Sequence, residues 1–153
     1  MTAAPGDFFR QNTEPCKTLL TTAESMENPP TKWILISSIA AVGSATGGTP
    51  LNERSPANPI SLYGKSKQEA EKLFLQAQER FEITIIRPPA IYGPGDTRFL
   101  GYFKSIKRGW CPLPPGRLMS LVYGEDCARA VALALEVSHP NGRIYFVEDG
   151  NHW

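Results

Sequence analysis

Three short apolar runs, "WILI" at 33–36, "ITIIR" at 83–87 and "RIYFV" at 143–147, are bounded by proline, glycine, serine or asparagine and separated by stretches of helical periodicity. A continuous β-branched run without alternating polar positions suits a strand buried on both faces, the usual condition of a parallel sheet. Parallel neighbours need crossover connections, right-handed and usually helical. The order helix, strand, helix, strand therefore predicts an α/β fold, with helices covering both faces of the sheet. "MSLVY" at 119–123 reads as one more short extended segment.

The clearest helix follows Ser61, where Leu62, Ala70, Leu73, Phe74 and Ala77 recur at helical spacing with Lys65, Lys67, Gln68, Glu71 and Lys72 between them, ending near Arg80. Further helices are expected over Phe8–Met26, bent or interrupted by Pro15, over Phe99–Arg108 and over Glu125–Val137. "GSATGGTPLNERSPANP" and "WCPLPPG" read as loops, and Pro88 and Pro89 should stop the second strand ahead of the loop "YGPGD".

Length and composition narrow the function classes. A chain of 153 residues suits one domain spanning 1–153. With 41% hydrophobic residues, 20% charged residues and a net charge of +1, it is expected to be globular and to lack the field that attracts nucleic acid or an anionic membrane. Lys104, Lys107 and Arg108 read as a solvated helix face. Three scattered cysteines, Cys16, Cys111 and Cys127, fit a reducing compartment better than a disulfide framework. His139 and His152 are the only imidazoles, and no metal-ligand spacing occurs, so no metal is expected. No membrane-length apolar run and no signal-peptide pattern in "MTAAPGDFFR" leave the cytoplasm as the expected location.

"YGKSK" opens the best helix with Tyr63 and Lys67 four residues apart, on one helical face. A phenol titrates near pH ~10, and a fixed positive charge within a few ångströms favours the phenolate. Such a pair can take a proton from an alcohol or give one to a carbonyl oxygen. On its own the pair is equally an ordinary exposed helix turn; Ser38 is equally a strand-ending hydroxyl, Pro88 a strand stop and Asp126 a helix-initiating acid.

"WILISSIAAVG", "YGKSK" and "IIRPPAIYGPGD", in that order, together resemble the extended short-chain dehydrogenase/reductase family, the NAD-dependent epimerases and dehydratases. Ser38 stands five residues before Gly43 and 25 before Tyr63, similar to that family's serine and its Y-x-x-x-K pair. Asn12 in "FFRQNTEPCKTLL" matches the asparagine of the preceding helix, while Asp126 in "SLVYGEDCARAVALALE" and the run "GRIYFVEDG" resemble later segments.

The resemblance implies a partial Rossmann-like parallel sheet with flanking helices: the second half of the nucleotide-binding fold plus part of a substrate lobe. It implies Tyr63 as general acid/base, Lys67 on the nicotinamide ribose, and Ser38 as donor to the substrate oxygen during hydride transfer. Pro88 and the backbone through Ile91 would lie near the nicotinamide, and Asn12 belongs to the same cofactor-side group. NAD or NADP is the implied cofactor. A nucleotide sugar or another secondary alcohol or ketone is the implied substrate, with a homodimer through the Tyr63 helix and the helix before Ser38.

Departures are specific. No G-x-x-G-x-x-G turn follows a strand, and the glycines of "GSATGGTP" neither have that spacing nor open a helix. Pro15, Cys16, Val42, Gly124 and Glu125 also differ locally from the family pattern. The expectation is an incomplete domain, a clipped enzyme that binds dinucleotide weakly by itself. The alternative is a non-catalytic fragment or interaction module.

Overall fold

A computed structural model describes residues 7–45, 50–110 and 119–150. The chain opens with α1 (Asp7–Asn12) and α2 (Glu14–Glu24), separated at Thr13. The single helix expected here is two: Pro15 falls in the first turn of α2, where a missing N–H leaves no helical bond unmade. Next come β1 (Lys32–Ile36), a 3-10 turn (Ile39–Ala41) and α3 (Leu62–Gln76), which tightens into a 3-10 turn over Ala77–Glu79. The second half holds β2 (Glu82–Arg87), β3 (Ala90–Tyr92), α4 (Arg98–Lys107), β4 (Leu121–Tyr123), α5 (Gly124–Glu136) and β5 (Arg143–Phe146).

Two parallel sheets result, one of three strands in the order β1, β2, β5 and one of two strands, β3 and β4. The expected parallel α/β architecture is present. β3 was not expected after two prolines, yet Ala90, Ile91 and Tyr92 pair with Leu121, Val122 and Tyr123. Pro88 and Pro89 end β2 without ending the extended path, because their own backbone nitrogens owe no ladder bond there. Most of the expected "WCPLPPG" connection and part of "GSATGGTP" lie outside the described residues.

The core forms between α2, α3 and one face of the three-stranded sheet. Leu20 and Ala23 from α2 meet Ala70 and Phe74 from α3 over Leu35, Ile83 and Ile85. Trp33 packs edge-on against Phe74 and tilts against Phe81, with centroids 6.1 Å and 5.6 Å away. These strand residues are two apart and share one face, as a period of two requires. On the opposite face α5 is tied down by polar contacts. Lys32 Nζ donates to Leu135 O at 3.0 Å, and His139 Nε2 lies 3.0 Å from Thr84 Oγ1 and 3.1 Å from Ala134 O.

Among the described residues no helix is long and apolar enough to cross a membrane. Likewise, no group of three or more His, Cys, Asp or Glu is placed to hold a metal ion.

Candidate functional site

The carboxyl ends of β1 and β2 are stitched together just beyond the ladder. Ser37 N donates to Ile86 O at 2.7 Å and Ile39 N to Pro88 O at 3.1 Å, so Pro88, which is buried, lies directly beside the Ser38 turn. Ser38 has extended backbone and caps that turn, its Oγ accepting from Ala40 N at 3.2 Å. The hydroxyl proton remains free to point elsewhere.

α3 starts against the same turn. Ser61 Oγ caps it by accepting from Gly64 N at 3.0 Å, satisfying one of the helix's orphan donors. Gly64 is required by close approach: a Cβ there would collide with the carbonyl oxygen of Ala40. The absent side chain lets Tyr63 and Lys67 descend onto the segment that carries Ser38.

Lys67 runs along the helix to the strand end, where its Nζ donates to Ile36 O at 2.9 Å and lies 6.0 Å from the centroid of the Tyr63 ring. Burial lowers the Lys67 amine from its ordinary value, while Cys16 and Glu71 pull it the other way. Burial raises the Cys16 thiol, partly offset by the Lys67 charge. The Tyr63 ring is half-buried and meets Phe8 edge-on at 5.8 Å. Side-chain and backbone contacts thus bring Tyr63, Lys67, the Ser38 turn and Pro88 to one end of the larger sheet.

Asn12 stands one layer behind them. Its Nδ2 donates to Ser66 Oγ at 3.0 Å, and Ser66 Oγ donates in turn to Tyr63 O at 2.8 Å. Thr13 Oγ1 adds a bond to Ser66 O at 3.0 Å. The α1–α2 junction therefore grips the backbone of the Tyr63 turn. Asp126 sits in the first turn of α5 and pairs with Arg129 at 3.2 Å in an exposed contact.

Two features went unread in the sequence. Glu71 and Arg87 form a buried ion pair behind Lys67, at 2.6 Å. The clue was periodic, since Glu71 follows Lys67 by the same four residues that separate Lys67 from Tyr63. The other is Asp149, whose carboxylate accepts from Tyr92 OH and Tyr123 N, both at 2.9 Å, at the rim of an open cleft of about 320 Å³ between β3 and the start of α5. The Asp149 bond, together with burial, raises the Tyr92 phenol. Only tertiary folding brings residue 149 to residue 92, and no local signal announces it.

The chain is 31% identical to UDP-glucose 4-epimerase of Vibrio cholerae over 128 residues, covering 78% of this chain and 39% of that protein. It is 37% identical to ceramide reductase of Caulobacter vibrioides over 110 residues, covering 69% of this chain and 29% of that protein. Its fold matches the crystal structure of UDP-glucuronic acid 4-epimerase from Bacillus cereus in complex with NAD, with TM-score 0.79 and 24% identity, over 96% of this chain and 51% of that one. The chain thus spans about half the length of the solved structure and less of the two curated relatives. Residues 2–147 match the model of the NAD dependent epimerase/dehydratase family, and the chain belongs to that family.

Proposed function

We propose that this chain supplies the acid–base apparatus of an NAD- or NADP-dependent epimerase, dehydratase or dehydrogenase, acting on a secondary alcohol or ketone carried by a nucleotide sugar. The observation that carries the reading is the Lys67 amine, bonded to Ile36 O at the strand end and lying over the ring of Tyr63. In this reading Tyr63 gives or takes the proton at the substrate oxygen. Ser38, whose oxygen already accepts from Ala40 N, donates its hydroxyl hydrogen to that oxygen and orients it. Lys67 keeps a positive charge beside the phenol. Burial lowers its amine, a kind of perturbation that gathers at working sites.

The residues at these strand ends fit a nicotinamide cofactor. An ammonium has three donors, and the described contacts of Lys67 occupy one of them, leaving others for ribose hydroxyls. Ser37 Oγ is buried with no hydrogen-bond partner among the described residues, a further donor for a bound group. Pro88 is buried beside them, while Asn12 acts at one remove by holding the Tyr63 turn through Ser66. Bound there, the nicotinamide supplies reversible two-electron oxidation of a carbinol. The fold places this end at the carboxyl edge of a parallel sheet, where open α/β sheets take ligands. Pairing of two copies through α2 and α3 would cover the exposed Leu19 and Leu62.

The likeness to UDP-glucose 4-epimerase supports the nucleotide-sugar class. The likeness to ceramide reductase supports a second reading, a substrate other than a nucleotide sugar. Purified chain is offered UDP-glucose or a long-chain ketone with NAD(H) or NADP(H), alongside Tyr63→Phe. Turnover should fall by about 10²-fold or more in Tyr63→Phe while circular dichroism is unchanged. An equal rate in the variant would defeat the acid–base assignment. Absence of both turnover and a change in reduced-nicotinamide fluorescence would defeat the reading for this chain acting by itself.

A further inference from the structure

Tyr63, Lys67 and Glu71 occupy i, i+4 and i+8, one stripe of α3. The proton chemistry above uses the first two and gives Glu71 nothing to do. Yet Glu71 is only 3% exposed, and its partner Arg87 only 5%. Arg87 Nε donates to Oε1 at 2.8 Å and a terminal guanidinium nitrogen to Oε2 at 2.6 Å, so both carboxylate oxygens are engaged in a fork. The guanidinium carbon lies 5.9 Å from the centroid of the Phe146 ring on β5.

A buried pair of this kind is weak evidence of a stabilising role, because desolvation offsets its attraction and apolar residues of similar size often serve as well. Its location is more telling. Arg87 is the last residue of β2, immediately before Pro88, whose carbonyl holds the amide next to Ser38. Glu71 is the anion on α3 one turn beyond Lys67, and a free carboxylate there would compete with Ile36 O for the Lys67 ammonium.

We propose that Arg87 and Glu71 act as a positioning pair for Lys67: by taking both oxygens of Glu71, Arg87 leaves the Lys67 amine at the Ile36 carbonyl beside Tyr63 instead of letting it close an ion pair down the helix. The proposal rests on the reading of Tyr63 and Lys67 as the proton-handling pair. The groups that bear on this amine are Tyr63 and Glu71 on its own helix, Cys16 on α2 and, behind Glu71, Arg87 on β2.

The test is the titration of Lys67 in the full chain, followed by NMR with ε-¹³C-lysine and assigned by the signal lost in Lys67→Arg. No substrate or cofactor is present. Arg87→Met frees the Glu71 carboxylate and should raise the Lys67 midpoint by about one unit. Arg87→Lys keeps the charge but cannot fork both oxygens, and should raise it by less. Glu71→Met combined with Arg87→Met removes the competing anion and should return the midpoint close to that of the unsubstituted chain. Should Arg87→Met fail to fold, Arg87→Lys decides. Loss of the Arg87 charge alone would raise the midpoint in Arg87→Met and leave it unmoved in Arg87→Lys, so an unmoved midpoint in folded Arg87→Lys overturns the proposal. A shift with an equal rate in Tyr63→Phe would keep the pairing and remove the catalytic reading; loss of turnover in Tyr63→Phe without a shift would do the reverse.

Discussion

The two faces of the three-stranded sheet are finished to different standards. Under α2 and α3 lies a closed layer of Leu20, Ala23, Leu35, Phe74, Ile83 and Ile85. Under α5 the ties are mainly polar, and apolar groups stay in solvent: Leu133 is 54% exposed, Val137 51% and Ile36 37%. Every residue of the proposed acid–base group hangs from the closed layer or from the strand ends next to it. Their geometry is therefore tied to the best-packed part of the molecule.

Substitutions can break this contrast, most strongly in the closed layer. Phe74→Ala should cost about 3–5 kcal/mol of stability, measured by urea unfolding, because it empties a site flanked by Trp33. The matching truncation on the other side, Leu133→Ala, should stay within about 0.5 kcal/mol. Next in size is Gly64→Ala, which must push α3 off the Ala40 carbonyl, costing about 1–3 kcal/mol and lowering any turnover. An unchanged melting temperature in Gly64→Ala would mean that the close approach is not needed.

The smallest effect is one of pH. Burial lowers the Lys67 amine in the fold below the ordinary lysine value of 10.5, so the unfolded chain binds that proton more tightly. Stability from this group then rises with pH between the folded midpoint and 10.5. Lys67→Met has no such term, so thermal melts of the two proteins should differ in slope: the unsubstituted chain improves relative to the variant as pH climbs through that window. Parallel slopes would mean that the amine is as well solvated folded as unfolded.

Elements that declare themselves by periodicity were readable in the sequence. The expected strand at 33–36 is β1 over Lys32–Ile36, 83–87 is β2 over Glu82–Arg87, and the helix after Ser61 is α3 with its 3-10 extension. β3 was hidden because three residues between a double proline and a glycine carry no period of their own. Their extended state comes from pairing with β4, some thirty residues later, a tertiary cause that local preference cannot express. The split between α1 and α2 needed only that Pro15 be placed in a first turn instead of a helix interior. The shared helical face of Tyr63 and Lys67 was legible from their spacing, and the structure sets that face against the strand end that carries Ser38. Glu71 and Arg87 were not legible, since a charged residue on an amphipathic helix is ordinarily a solvated one.

Under the proposed function, the bond from Lys67 to the Ile36 carbonyl makes one amine both reagent and strap. Anyone who deletes that amine to weigh its chemistry also cuts a fastening between helix and strand. The rate lost in Lys67→Ala is therefore a ceiling on the chemical share of the side chain, and a replacement that still reaches the carbonyl is needed to divide the two.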